Sequence, residues 1–241
     1  MSGTASFMAF DRLTDSGNPA ARGETAAEAV HADLRHAILA LRLPPGTPLR
    51  ITSLCQRFSV GPTPLREALW RLTGEGLVRL EPQRGFHVTP LTRDDLQSLA
   101  LLCSVTEPPA LRRSIRTGGR EWLTSVRQRF AAFAPLLSKV GDRRAIDAEW
   151  EQRHHDFHMA LLAGCGLPSL IRKVASWYDQ LDRYRRLALP GLAYNAATAD
   201  DHAALLALIE RCAEDAAVDL LARHLADTQA QMLAYFDPPE D

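Results

Sequence analysis

The sequence predicts a mainly α protein: an N-terminal winged helix-turn-helix followed by an all-α six-helix bundle. Three observations predict it. From Ala26 to Thr89 the apolar pattern reads as three helices and then shifts to the period of two short strands. Beyond Thr92, apolar residues recur at helical spacing almost to the C-terminus, with short connections and no strand pattern. At 241 residues and 46% hydrophobic, the chain is long and apolar enough for two modest cores.

Residues 1–24, rich in Ser, Thr, Gly and Asp, show no sustained period and are expected to form a mobile tail. The first helix carries Val30, Leu34, Ile38 and Leu41 on one face and ends at Pro44-Pro45-Gly46. A short second helix, capped by Thr52, turns Leu54, Cys55 and Phe58 inward. The third opens at Gly61-Pro62-Thr63-Pro64. Glycine is an acceptable N-cap, and proline at the first helical position sacrifices no helix hydrogen bond. This helix stops at Gly74-Glu75-Gly76. Leu77–Leu80 and Phe86–Thr89 then read as strands joined by Pro82-Gln83-Arg84-Gly85. The domains are therefore expected at 25–92 and 93–237. The six bundle helices are expected at roughly 93–117, 120–140, 142–165, 168–189, 198–213 and 215–236.

Charge is local. The net formal charge is -1, yet between Ala26 and Thr92 eight arginines face five acidic residues, a mildly basic module suited to phosphates. In this order of elements, the second helix of the helix-turn-helix pair can lie in a DNA major groove and the hairpin can touch the flanking backbone; equally, the module could be a packing or protein-contact domain with solvated arginines. Arginine dominates over lysine, with Lys139 and Lys173 alone, which suits planar bidentate contacts. Cys55, Cys103, Cys165 and Cys212 form no C-x-x-C pair and read as buried thiols of a reducing compartment. With no leader-like segment and no apolar run near the ~18 residues that span a bilayer, a cytoplasmic protein is expected.

The bundle carries "HHDFH" at His154–His158, His202, and His224 within "LLARHLAD". His154 and His158, four apart, share one helix face near the inward stripe Trp150, Phe157 and Leu161. Histidines from three helices of one bundle could converge on a metal; equally, each could be a satisfied or half-exposed side chain.

The stretch "LRHAILALRLPPGTPL … VGPTPLREALWRLTGEGLVRLEPQRGFHVTPLT" resembles the DNA-binding domain of GntR-type transcriptional regulators. The shared features are the Pro-Gly turn, the T-P-L-R-E-A-L run, the G-L-V strand start and the R-G-x-x-V wing. The six-helix remainder is similar to the FCD-type effector domain of the FadR-like branch. The resemblance implies that the third helix enters the major groove, with Arg66 at the place of a DNA-contacting arginine and Thr63 and Pro64 close to backbone or bases. The candidate DNA-binding set is completed by Arg50, Thr52, Arg71, Arg84, Gly85 and His87. Where the family usually has Ser or Thr followed by Arg, this chain has Gly61-Pro62, so operator preference should differ.

Relatives bind a divalent metal through one Asp and three His. His158, His202 and His224 fall on the three His positions, and His154 stands at the Asp. An all-imidazole site is softer and one negative charge poorer, favouring zinc or nickel over manganese. Family effectors are small carboxylic acids read by the metal and by arginines. Here Cys103 replaces a common arginine and Pro108-Pro109 is expected to interrupt the first bundle helix; Arg112, Arg113, Arg183, Arg185 and Arg186 could compensate or be solvated, with Arg112 and Arg183 the candidate effector contacts. The expected function is a homodimeric, metabolite-responsive regulator of a palindromic DNA operator with no catalytic residues. Two rivals remain: a metal-dependent enzyme of small hydroxy or keto acids using Asp156 or Glu151, and a pure dimerisation bundle.

Overall fold

The computed structural model describes residues 25–137, 148–188 and 196–236. The predicted tail at 1–24 lies outside them, as do the predicted helix ends at 138–147 and 189. The described chain comprises α1 (Ala26–Leu39), α2 (Ile51–Phe58), α3 (Pro62–Gly74), β1 (Val78–Glu81), β2 (Gly85–Val88), α4 (Arg93–Thr117), α5 (Gly119–Leu137), α6 (Ala148–Ala163), α7 (Pro168–Ala188), α8 (Ala196–Glu210) and α9 (Glu214–Ala234). It divides into two compact units at Leu91/Thr92.

In the first unit, Thr25 and Glu28 close a capping box: each side chain accepts from the other's backbone N–H, at 3.2 and 2.8 Å. Val30, Leu34 and Ile38 of α1 then pack with Leu54 of α2 and with Leu65, Leu69 and Leu72 of α3. Burying each such leucine contributes about 1.5–3 kcal/mol. Phe86 and Val88 extend this core into the antiparallel hairpin, where Val78 pairs with Val88 and Glu81 with Gly85. The α1–α2 connection runs alongside β2: Gly46 and Leu49 donate to the carbonyls of Val88 and Phe86 at 2.9 and 2.7 Å. Gly46 has φ 79°, a conformation glycine adopts without strain.

Thr52 does not cap α2. The N-cap is Arg50 and no side chain caps the helix, because Thr52 is already its second residue. The glycine-proline start of α3 is as expected, with Gly61 at the N-cap and Pro62 at the first helical position.

In the second unit, Thr92 caps α4 through Asp95 N–H at 3.2 Å, and Tyr184 of α7 donates to Asp95 at 2.9 Å. α4 lies along α9, α5 along α6, and α8 packs on both α5 and α9. Pro108 and Pro109 do not interrupt α4, which runs unbroken from Arg93 to Thr117. The turns around the two prolines are packed into the core, with Cys103, Glu107, Pro108, Ala110 and Leu111 buried, and that burial offsets the missing N–H donors. Cys103 and Cys165 are buried as expected, but Cys55 is only partly so and Cys212 is exposed; all four are free thiols. Among the described residues no helix is long and apolar enough to cross a membrane.

Candidate functional site

α3 and the hairpin of the first unit flank a cleft of about 680 Å³ that draws together Arg50, Thr52, Arg66, Arg84, Gly85 and His87. Arg50 arrives because the connection before α2 is hydrogen-bonded to β2. Arg66 arrives because Leu65 and Leu69 fix the inner face of α3 and leave position 66 outward. Trp70, one turn beyond, holds α3 to the wing by an edge-on contact with Phe86 at 5.5 Å.

Arg66 is exposed and pairs with no carboxylate among the described residues, so its guanidinium is available to a ligand. Arg84 is 75% exposed and bonds Glu81 at 3.1 Å, a pair that water and phosphate readily replace. Arg71 is outside the cleft, paired with Glu67 at 2.6 Å. Thr63 and Pro64 lie in the first turn of α3 and do not line the cleft.

In the second unit the four histidines meet. His154 and His158 come from α6, His202 from α8 and His224 from α9, all at most 3% exposed. One ligand atom from each can be chosen so that all lie within 4.8 Å of one another. His158 Nε2 and His202 Nε2 are 3.3 Å apart. A tetrahedral zinc with bonds of about 2.0–2.1 Å has ligand–ligand edges of about 3.3–3.4 Å, so this pair already has that spacing.

Aromatic walls set the cluster. Trp150 stacks on His154 at 4.9 Å, and Phe133 meets His154 and His202 edge-on. Burial, reinforced by neighbouring imidazoles and Arg185, holds His154 and His158 well below the ordinary histidine pKa. They are therefore neutral near pH 7, the form that donates a lone pair to a metal. His154 Nδ1 is buried with no hydrogen-bond partner among the described residues. A buried, partly orphaned four-imidazole cluster fits a borderline-soft divalent ion.

Beside the histidines lies a cavity of about 20 Å³ walled by Tyr178, Leu181, Arg185, Thr228 and Met232 among others. Of the five arginines considered from sequence, Arg185 lines it, and the two taken as effector contacts, Arg112 and Arg183, do not. Arg112 pairs with Glu214 and Asp215, both at 2.6 Å, bracing α4 to α9. Arg183 is buried away from the cavity lining, and burial pushes its pKa down to about 10. Positions 183 and 185 point to opposite sides of α7, whereas Tyr178, Leu181 and Arg185 share one face at helical spacing. That spacing was the available signal.

Sequence reasoning also passed over Tyr178 and Glu107. The Tyr178 hydroxyl donates to Glu107 Oε2 at 2.9 Å and lies 2.9 Å from His158 Nδ1. Glu107 is fully buried beside Cys103; burial pushes its carboxyl up to about 7 against the lowering pull of both neighbours. Asp156 bonds Arg129 and Gln152, and Glu151 bonds Arg186, so both candidate bases of an enzyme are engaged elsewhere.

Known proteins share this architecture. The chain is 36% identical over 170 residues to the uncharacterized HTH-type transcriptional regulator BphR of Paraburkholderia xenovorans, covering 70% of this chain and 69% of that one. It is 33% identical over 156 residues to the HTH-type transcriptional repressor GlaR of Escherichia coli, covering 63% and 69%. Among solved structures, E. coli McbR/YncC superposes with a TM-score of 0.71 at 18% identity, over 88% of this chain and 99% of that one. A GntR regulator from Rhodococcus gives 0.70 at 22% identity, over 86% and 97%. These two likenesses concern the fold. Residues 26–88 match the bacterial regulatory proteins of the gntR family and residues 101–227 match the FCD domain. With one unit matching the first model and the other the second, the chain belongs to the GntR family of transcriptional regulators, in its FCD-bearing group.

Proposed function

We propose that this DNA-binding regulator works in the cytoplasm as a homodimer on a palindromic operator. Its response to a small organic acid is centred on one divalent ion, zinc or nickel, at His154, His158, His202 and His224. The observation that supports this reading most is the burial of four imidazoles from three helices around one point. Relatives that are transcription regulators, and not enzymes, support the same class. When bound, the ion supplies a Lewis-acidic anchor for an oxygen of the effector.

Arg185 supplies the nearby positive charge, with Tyr178 and Thr228 as polar contacts on the cavity wall. A cavity of about 20 Å³ holds little more than a water. A metabolite must therefore displace Leu181, Met232 or their helices to enter, and that displacement is the change an effector can couple to DNA affinity. Two-fold symmetry of the dimer demands a two-fold symmetric site.

Two measurements test the proposal. Untagged protein exposed to zinc, nickel and manganese is expected to retain about one zinc or nickel ion per chain. DNA selected from a random pool is expected to converge on an inverted repeat. Metal-free protein would remove the metal half of the proposal, and an asymmetric consensus would remove the dimer half.

A further inference from the structure

Four imidazole ligands bring no negative charge to a divalent cation, whereas a carboxylate at position 154 would cancel half of it. Two carboxylates nevertheless stand one step behind the histidines, on different sides. On the α4 side, Tyr178 bridges His158 Nδ1 and Glu107 Oε2, each at 2.9 Å. Glu107 is fully buried, and its Oε1 has no hydrogen-bond partner among the described residues. A buried carboxylate oxygen left so is costly unless a cation lies near. Arg185, which also bonds Asp182, is one such cation, and its charge favours the Glu107 carboxylate. On the α8 side, Asp201 Oδ2 lies 3.4 Å from His224 Nδ1.

His158 is thereby divided between two tasks. Its Nε2 faces His202 Nε2 at 3.3 Å, inside the cluster, and its Nδ1 faces Tyr178 outside it. With Tyr178 donating to Glu107, the proton on His158 belongs on Nδ1, and the Nε2 lone pair is left for the ion.

We propose that Glu107, acting through Tyr178, and Asp201 replace from the outer shell the negative charge that position 154 does not provide. Tyr178 and Glu107 also fix the His158 tautomer. This rests on the metal reading above. None of the three is a ligand; they are positioning residues, of the kind whose loss lowers metal affinity without removing a donor. A merely structural hydrogen-bond chain would be indifferent to the residue at 154. A charge-compensating one is not.

The test is zinc affinity of the full-length chain, read by competition with a coloured chelator at pH 7.5. Glu107→Gln, Tyr178→Phe and Asp201→Asn are each expected to weaken zinc about 10- to 100-fold. In a His154→Asp background, Glu107→Gln is expected to cost less than about threefold, because the ligand carboxylate already supplies the charge. Nitrogen-15 spectra of the zinc-loaded protein are expected to show His158 protonated at Nδ1. Equal losses in both backgrounds would overturn the compensation, as would three variants with wild-type affinity, and the metal reading would survive either result. Wild-type protein that binds no zinc would overturn the metal reading itself. Should Glu107→Gln not fold, Asp201→Asn carries the same two-background comparison from a partly exposed position.

Discussion

Arg66 and His154 show how differently one side chain can be committed. Arg66 is exposed, in the cleft, and pairs with no carboxylate among the described residues. A bidentate arginine–guanine contact is worth about 1–3 kcal/mol of discrimination. Arg66→Ala is therefore expected to weaken operator binding about tenfold or more while nonspecific, salt-dependent binding stays nearly intact, as read by titration on operator and random DNA. Equal losses on both would reassign Arg66 to phosphate. His154 is buried against Trp150 and has a pKa well below the usual histidine value. Unfolded, it gains a proton as pH falls through about 6.5; folded, it does not until far lower. Stability of the metal-free protein contributed by His154 is thus intact above pH 6.5 and lost as pH falls below it. Glu107 and Glu151, pushed up to about 7 by burial, act in the opposite sense: they favour the folded state less as pH rises from about 4.5 to 7. Comparing wild type with His154→Phe cancels both. Between pH 7 and 5.5 the wild type is expected to lose more urea stability than the variant.

Among the elements, α4 and α5 show packing overriding local preference. Two prolines sit inside α4, and the helix continues because its neighbours on either side are buried. Trp122 of α5 wedges between two glycines and donates to Ala160 O at 2.8 Å. A Cβ at Gly164 would lie 2.8–2.9 Å from the indole, which has no flexible end to yield. Gly164→Ala is expected to cost about 1–3 kcal/mol by overpacking, measured by urea unfolding. Gly61 is different, since a Cβ there meets nothing within 4 Å. Nothing in space requires glycine at the head of α3. Gly61 and Pro62 are compatible with a sound helix start. Accordingly Pro62→Arg is expected to leave stability within about 0.5 kcal/mol and to change the consensus in DNA selection; an unchanged consensus would mean that position 62 does not face the bases.

At the level of the whole molecule, the chain is two compact units that meet in sequence at Leu91/Thr92, each with its own core. The candidate DNA contacts are all in the first and the four clustered histidines all in the second. His224→Ala is expected to abolish metal retention and effector response while operator binding without effector stays within a few-fold of wild type. Gel-shift titrations with and without effector measure this. Simultaneous loss of basal DNA binding would mean that the histidines are needed for the dimeric fold and not for sensing.

The amino-acid sequence alone determined the helix and strand order and the winged hairpin, because apolar period and turn residues are local properties; i,i+4 spacing put His154 and His158 on one face, and resemblance to the FCD domain, not spacing, joined His202 and His224 to them. It did not determine which arginine meets the histidines, since Arg183 and Arg185 look alike until the inner face of α7 is known. It did not reveal that α4 continues through Pro108-Pro109, because the compensating burial comes from other helices. Nor did it reveal Glu107 and Tyr178 behind His158, 71 residues apart and on different helices. Long-range packing decided those, for a side chain's local sequence says which face it shares and not what the opposite face brings to it.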